Sequence, residues 1–294
     1  MTEDFAPLNM TKERLIDYTG DWKGERFADG RPKVPDDILD RMKDVTITEA
    51  WGILRNQGYE WQYEGGFVAT HPGQVLVGRA LTAMYMPRRP AMRKLMEEKG
   101  AKCGCIGDQI SWPIDMLVQR DVYVADVYGK IVQGPVMGDN LATSIYAKSG
   151  NGVVHDAAVR DIDGVKAISG FTSFFRGYHP SYAAPTIMLV GVNCPVRMGQ
   201  ATVMPGDVVL GKDDGVVFVP CYLAEQVVKT SELIRLRDRF GKQRLREGKY
   251  TPGQIDTRWV DEIEKDFSRW LEDHIDELPV SREAIQELLK ERTW

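Results

Sequence analysis

The feature that most narrows the fold is residues 122–161, where a strand pattern, a helix pattern and a second strand pattern follow in succession. Residues 122–127 (VYVADV) form an apolar, β-branched run ending in the turn Tyr128-Gly129-Lys130. Residues 139–149 (DNLATSIYAKS) place Leu141, Ala142, Ile145 and Tyr146 at helical spacing, with Asp139 or Asn140 as the N-cap. Gly150-Asn151-Gly152 is a helix stop, and Val153-Val154-His155 resumes as a short buried strand before a turn into Arg160-Asp161. If the two strands pair in parallel, the end of the second returns to the edge where the helix begins. Asp139 and the Arg160-Asp161 pair then become neighbours.

That edge has a definite chemistry. The first N–H groups of the helix, around Asn140 to Ala142, have no intrahelical acceptor and suit a carboxylate. Hard divalent cations prefer oxygen ligands, keep several waters and often use only one or two carboxylates. Asp161 is the candidate direct ligand, and Asp139 the candidate for a contact through water. Arg160 adds an always-charged fork for a substrate carboxylate or a developing oxyanion. A capped helix followed by a surface ion pair meets the same spacing, so spacing alone leaves both readings open.

The rest of the chain supplies the frame. Strand patterns at residues 75–86, 187–192, 201–204, 208–210 and 216–219 alternate with helix patterns at 38–42, 48–54 and 89–99. Pro205-Gly206-Asp207 and Lys212-Asp213-Asp214-Gly215 are turn signals between strands. The mixture implies an α/β sandwich. Residues 1–45 read as an N-terminal arm and helix that wrap the surface or a neighbouring subunit, residues 46–248 as the catalytic domain, and 249–294 as a helical extension. Within that extension Trp259, Ile263, Phe267, Trp270, Leu271 and Ile275 form a helical stripe, which packs on its own core or meets another subunit. Residues 223–247 read as a long charged helix.

Composition excludes several classes. With 43 acidic and 38 basic side chains the net charge is -5, and no basic surface for nucleic acid is expected. No run approaches the roughly 20 apolar residues of a membrane span, and the first residues lack the layout of a signal peptide. A cytoplasmic protein without membrane contact is the expectation. Four cysteines fit a reducing compartment, and Cys103-Gly104-Cys105 is too close for the usual zinc spacing. Gly150-Asn151-Gly152 lacks the third glycine of a dinucleotide fingerprint. The histidines His71, His155, His179 and His274 are scattered.

Several motifs in order carry a resemblance. Gly138-Asp139-Asn140-Leu141-Ala142, then residues 152–161 (GVVHDAAVRD), then Pro205-Gly206-Asp207, then residues 213–220 (DDGVVFVP), resemble the RraA-like family. That family includes the 4-hydroxy-4-methyl-2-oxoglutarate/4-carboxy-4-hydroxy-2-oxoadipate aldolases. The resemblance runs from about Thr46 to about Gly248. It implies an RraA-like α/β/β/α sandwich assembled as a homotrimer or homohexamer, with active sites between subunits. By analogy Asp161 ligates Mg2+ or Mn2+, Asp139 holds a metal-bound water, and Arg160 contacts substrate. Backbone groups at Gly138, Asn140 and Leu141 would hold the pyruvyl carboxylate. The first Asp of this signature is generally missing from the regulator branch of the family, so Asp139 favours catalysis. Glu49 stands where the family's helix start usually carries Asp. Asp238 takes the place of an acidic residue that reaches a neighbouring subunit's site. Residues 174–179 and the tail after Gly253 exceed the usual core, although Phe174 and Phe175 read as packing residues.

The implied activity is that of a class II pyruvate aldolase: a divalent-metal-dependent lyase that cleaves a 4-hydroxy-2-oxo acid. Breaking C3–C4 releases pyruvate as its enolate, and oxaloacetate decarboxylation passes through the same enolate as a side activity. Two alternatives share the sequence: dehydration or decarboxylation of a sugar-derived acid, and a non-catalytic regulator that binds another protein.

Overall fold

The protein is described here from a computed structural model, which describes residues 8–275 together with residues 283 and 285. The remainder of the tail assigned above lies outside the described residues. By its contacts the chain divides into two units, one through Val228 and one from Lys229.

The first unit begins with α1 (Lys12–Tyr18), α2 (Asp36–Met42) and α3 (Ile47–Asn56). Two short strands follow, β1 (Tyr63–Glu64) and β2 (Val68–Ala69), and then the parallel core. That core is β3 (Leu76–Pro87), α4 (Pro90–Lys102), β4 (Asp121–Lys130), α5 (Asp139–Ser149), β5 (Val153–Val159), α6 (Ile162–Lys166) and β6 (Ser173–Tyr178). The unit continues through β7 (Ile187–Val192), β8 (Val196–Met198), β9 (Ala201–Val203), β10 (Val208–Lys212) and β11 (Gly215–Val219) into the start of α7 (Ala224–Arg246).

Nine strands make one sheet in the order β1-β11-β10-β3-β4-β5-β6-β2, with β7 paired to β3. Strands β3, β4, β5 and β6 run parallel, as strands joined through helices must when each crossover returns to the same edge. The outer pairs are antiparallel, and β10 and β11 meet in a hairpin across Asp213-Asp214. The expected mixed α/β class is therefore the observed one.

Burial explains why β5 lies in the interior of the sheet. All seven of its residues are buried, as expected of a parallel strand covered on both faces. One face carries Val153, Ala157 and Val159 into a core completed by Ala142 and Ile145 of α5, Val165 of α6 and Phe175 of β6. The other carries Val154, beside Val122, Val124 and Phe174, onto the separate β8–β9 hairpin through Val196, Met198, Ala201 and Val203. Burying a side chain such as Phe175 contributes about 2–3 kcal/mol. Where β5 enters, Gly152 passes so close to the Thr172 carbonyl that no Cβ fits.

Some boundaries differ from the sequence reading. Tyr128-Gly129-Lys130 does not end β4 as a turn. It is a bulge, with Tyr128 at φ 47° and the β4–β5 register shifted between Ala125 and Lys130. The β5 strand runs on to Val159 rather than stopping near His155, because alanines and valines continue the buried face. Residues 174–178 belong to β6, and Phe174 and Phe175 pack on opposite faces, as the reading of them as packing residues expects. The arm folds back on its own chain, with Met10 N–H donating to Val192 O at 3.2 Å and Val192 N–H to Leu8 O at 2.8 Å. Further along, Arg31, fully buried, pairs with Asp121 at 3.0 Å and Asp29 at 2.9 Å.

Asp207 of the Pro-Gly-Asp turn proves to be a staple. Its carboxylate accepts Met204 N–H at 2.8 Å and Cys221 N–H at 3.2 Å. Burial raises its pKa to about 7 against the pull of those two bonds.

In the second unit, α7 continues and is followed by α8 (Pro252–Ile255) and α9 (Asp261–Asp273). The aromatic stripe packs on a core of this unit: Trp259, Phe267 and Trp270 surround Phe240 at centroid distances of 5.2, 5.3 and 5.8 Å. Arg244 closes it with bonds of 2.8 and 3.1 Å to the buried Asp266.

Candidate active site

In an open parallel sheet the chemistry collects beyond the carboxyl ends of the strands, where helix starts converge. Here β4 leads through residues 131–137 to Gly138 and α5, while β5 leads directly to Arg160, Asp161 and α6. Arg160 N–H donates to Met137 O at 3.3 Å, which ties the two connections together.

Two glycines then bring the acids into register. A Cβ on Gly138 would lie 2.5 Å from Asp161 Oδ2 and 3.3 Å from Arg160 Nε, so any larger residue at the α5 start would displace the side chains of this pair. A Cβ on Gly164 would lie 2.7 Å from both Cβ and Oδ2 of Asp139, so Asp139 rests against α6 itself. Sequence reasoning missed Gly164; the signal was a glycine three residues after Asp161, on the first turn of a short helix.

Asp161 sits at the N-cap of α6 with φ 54° and ψ 43°, a left-handed conformation that costs a non-glycine residue about 1–2 kcal/mol. Its carbonyl accepts Val165 N–H at 3.1 Å, so the helix start holds the backbone there. The carboxylate meets Arg160 Nη1 at 3.4 Å, and both side chains are 42% exposed. A contact this long and this wet leaves both groups with coordination to spare.

The helix start is arranged differently from the expectation. Gly138, not Asp139 or Asn140, is the N-cap, since its extended backbone (φ −124°, ψ −169°) precedes the first helical residue. Asp139 is that first residue, and its Oδ1 accepts Asn140 N–H at 2.8 Å. Ala142 N–H is taken by Gly138 O at 3.0 Å. Of the three amides expected to be open, only Leu141 N–H is without a hydrogen bond among the described residues.

The remaining expected positions are elsewhere. Asp238 belongs to the second unit, where it is exposed and pairs with Lys242 at 3.0 Å. Glu49 completes a capping box on α3: Thr46 Oγ1 accepts Glu49 N–H at 3.1 Å and Glu49 Oε2 accepts Thr46 N–H at 2.9 Å.

A second arginine cluster lies on the neighbouring strands. Arg176 donates to Asp156 and Glu64 at 2.7 Å each and to Gly65 O at 2.7 Å, and its guanidinium lies 4.1 Å from the Phe67 ring centroid. Each of its three nitrogens donates once, so it holds β5, β6 and the β1 connection together.

No group of three or more His, Cys, Asp or Glu side chains arranged for a metal occurs among the described residues. Two carboxylates at one helix mouth, with Asp161 Oδ2 left accessible by the missing side chain of Gly138, nevertheless fit a hard cation that keeps waters.

A mixed sheet whose parallel strands deliver an Asp, an Arg-Asp pair and a helix start to one edge defines a small class of α/β proteins. The chain belongs to the RraA-like family: the model of that family, described as Aldolase/RraA, matches residues 36–218. Among curated relatives it is 27% identical over 251 residues to Protein DlpA of Legionella pneumophila, covering 84% of this chain and 35% of that protein. It is 32% identical over 113 residues to a protein of Halalkalibacterium halodurans named "Putative 4-hydroxy-4-methyl-2-oxoglutarate aldolase", covering 38% of this chain and 52% of the relative. The chain thus spans between about a third and three fifths of the curated relatives it matches. Two solved structures share the fold. One is an uncharacterized protein from Pseudomonas syringae (TM-score 0.61, 24% identity, covering 76% of this chain and 94% of that one). The other is RraAS2 of Streptomyces coelicolor, described as an unusual member of the RNase ES inhibitor RraA family (TM-score 0.59, 24% identity, 74% and 98% covered). No described helix is long and apolar enough to cross a membrane.

Proposed function

We propose that this protein is a divalent-metal-dependent carbon–carbon lyase that cleaves a 4-hydroxy-2-oxo acid to pyruvate, with oxaloacetate decarboxylation as a side activity. The observation that carries the reading is the meeting of Asp139, Arg160 and Asp161 at the carboxyl edge of β4 and β5, with Gly138 and Gly164 cut back to permit it. The strained backbone of Asp161 supports it, since such conformations persist where a side chain must be aimed.

In this reading Asp161 holds Mg2+ or Mn2+ directly and Asp139 through a water. The cation supplies Lewis-acid polarisation of the substrate's 2-oxo group when bound. Leu141 N–H and the α5 dipole hold the substrate carboxylate at a helix N-terminus. Among the described residues the Arg160 side chain has a single 3.4 Å contact to give up, so its fork can turn toward the negative charge that develops as C3–C4 breaks. Asp238 is assigned to the site of a neighbouring subunit in a homotrimer or homohexamer. The substrate is a small 2-oxo acid, and neither nucleic acid nor a membrane takes part.

The test is pyruvate release from 4-hydroxy-4-methyl-2-oxoglutarate and from oxaloacetate, with Mg2+, with EDTA, and in Asp161→Ala. Release that needs the metal and disappears in the variant is the expected result. Metal binding without release from either compound would redirect the reading to a sugar-derived acid, and absence of both to a protein-binding regulator.

A further inference from the structure

The end of β6 runs beside the end of β5, just before Arg160, and the reading above leaves it without a task. Val159 pairs with Tyr178, and His179 N–H donates to Val159 O at 3.2 Å, one residue before Arg160. Adjacent strands lie roughly 5 Å apart, so the residues that leave β5 and β6 do so side by side.

The loop carrying His179 is fixed from both sides of the site. Ala183 N–H donates to Pro135 O at 2.9 Å and Thr186 Oγ1 to Gln133 O at 3.1 Å, on the connection that leads to Gly138. Its imidazole is oriented as well. Ser181 N–H donates to His179 Nδ1 at 3.3 Å, and Ser181 Oγ lies 2.7 Å from the same atom. A ring nitrogen that accepts from a backbone N–H carries no proton, so in the neutral ring the proton sits on Nε2. That Nε2–H has no protein acceptor among the described residues, and the ring is half-buried. Tyr178, 48% exposed and edge-on to Phe175, precedes it in the chain, and Tyr182, 54% exposed, follows in the same loop. Phe174, Phe175 and Arg176 of the same strand are committed to the core and to Asp156 and Glu64, which leaves His179 as the oriented donor of this segment.

We propose that His179 reads the end of the substrate remote from its 2-oxo acid group, donating Nε2–H to a second carboxylate there. The inference rests on the lyase reading for the placement of the first carboxylate at α5. A carboxylate is the fitting partner because it is acceptor-only and the bond is charge-assisted. Lys130, level with Ala157 at the same edge, makes no ion pair among the described residues and adds positive charge.

Binding separates this role from catalysis. With Mg2+ present, the whole chain is titrated calorimetrically with 2-oxoglutarate and with 2-oxopentanoate, which differ only in a terminal carboxylate against a methyl. Neither carries the 4-hydroxyl needed for cleavage. The protein should prefer 2-oxoglutarate by about tenfold or more, on the scale of a charge-assisted bond. In His179→Leu the ratio should fall to within about twofold with 2-oxopentanoate affinity unchanged, and His179→Gln, which keeps an N–H at the same reach, should restore most of it. Ser181→Ala, which removes the hydroxyl at Nδ1 and keeps the backbone N–H, should lose part of the preference. A ratio near one in the unaltered protein, no binding of either acid, a preference that survives His179→Leu, or equal weakening of both acids in the Leu and Gln variants overturns the proposal. Pyruvate release, scored separately, tells the two ideas apart: retained ligand preference without release sinks the lyase reading and leaves His179 in its role.

Discussion

Arg160, just past β5, and Arg176, on the neighbouring β6, each pair with an aspartate, yet the structure spends them in opposite ways. Arg176 is bonded at 2.7 Å to two carboxylates and a carbonyl, with side-chain exposures of 18% for the arginine and 7% for Asp156. The Arg160 side chain makes one polar contact among the described residues, at 3.4 Å, and stands, like Asp161, 42% exposed. A saturated and buried charge is part of the framework, because any movement leaves a partner desolvated. An unsaturated, wet charge costs the fold little and keeps its donors for something that arrives later. An aspartate partner is common to both clusters; the number and length of the bonds each arginine makes separate them.

The largest effect expected from this contrast is on stability. Arg176→Met removes the partner of two part-buried carboxylates and should cost about 3–5 kcal/mol, read as a fall in the urea midpoint. Pyruvate release per folded molecule should stay within about twofold if the cluster is only structural, given the ordinary scatter between sites. The mirror experiment is Arg160→Met. It should lower kcat by about 10²-fold, the scale of a lost oxyanion donor, and leave the unfolding midpoint unchanged. If both variants lose stability equally, the distinction between the two arginines collapses.

Acid supplies a subtler contrast along one strand. His155 is buried between Val154 and the tied Asp156, edge-on to Tyr123 at 4.9 Å, and burial lowers its pKa from 6.5 to about 3. The folded state holds it neutral while the unfolded chain takes up a proton below about pH 6.5. The stability it contributes is therefore complete above that pH and is lost as pH falls toward 3. At pH 4.5 the loss should be about 2–3 kcal/mol. Urea midpoints at pH 7 and 4.5 should differ by less in His155→Phe than in the unaltered protein; an identical acid loss in the two proteins would show that the buried ring is not its source.

Much of this was legible in the chain itself, and for physical reasons. Helix period, a glycine stop and a β-branched run are local signals, so α5 and β5 and their shared edge could be read from residues 139–161. The Arg-Asp pair and its preceding Asp were visible because a βαβ return brings them together whatever surrounds them. Tertiary facts were not legible. The bulge at Tyr128, the run of β5 through Val159 and the burial of Phe174 and Phe175 depend on which strand lies alongside. The true N-cap, Gly138, was hidden because Asp and Asn are the usual caps, and here close approach to Asp161 outweighed capping preference. His179 looked like one of four scattered histidines until the pairing of β6 with β5 placed it at Arg160.

The smallest expected effect bears most directly on the comparison. A double-mutant cycle on Arg160 and Asp161 should yield a coupling energy for folding below about 1 kcal/mol, because an exposed pair at this separation gains little over hydration. The same cycle on Arg176 and Asp156 should yield several times more, since each partner there is desolvated and oriented for the other. Salt should also distinguish them: raising the ionic strength to 1 M shortens the screening length to about 3 Å and should erase the first coupling while reducing the second only partly. Comparable couplings in the two cycles would mean that Arg160 is held by the fold, and that its 3.4 Å contact is not slack reserved for a ligand.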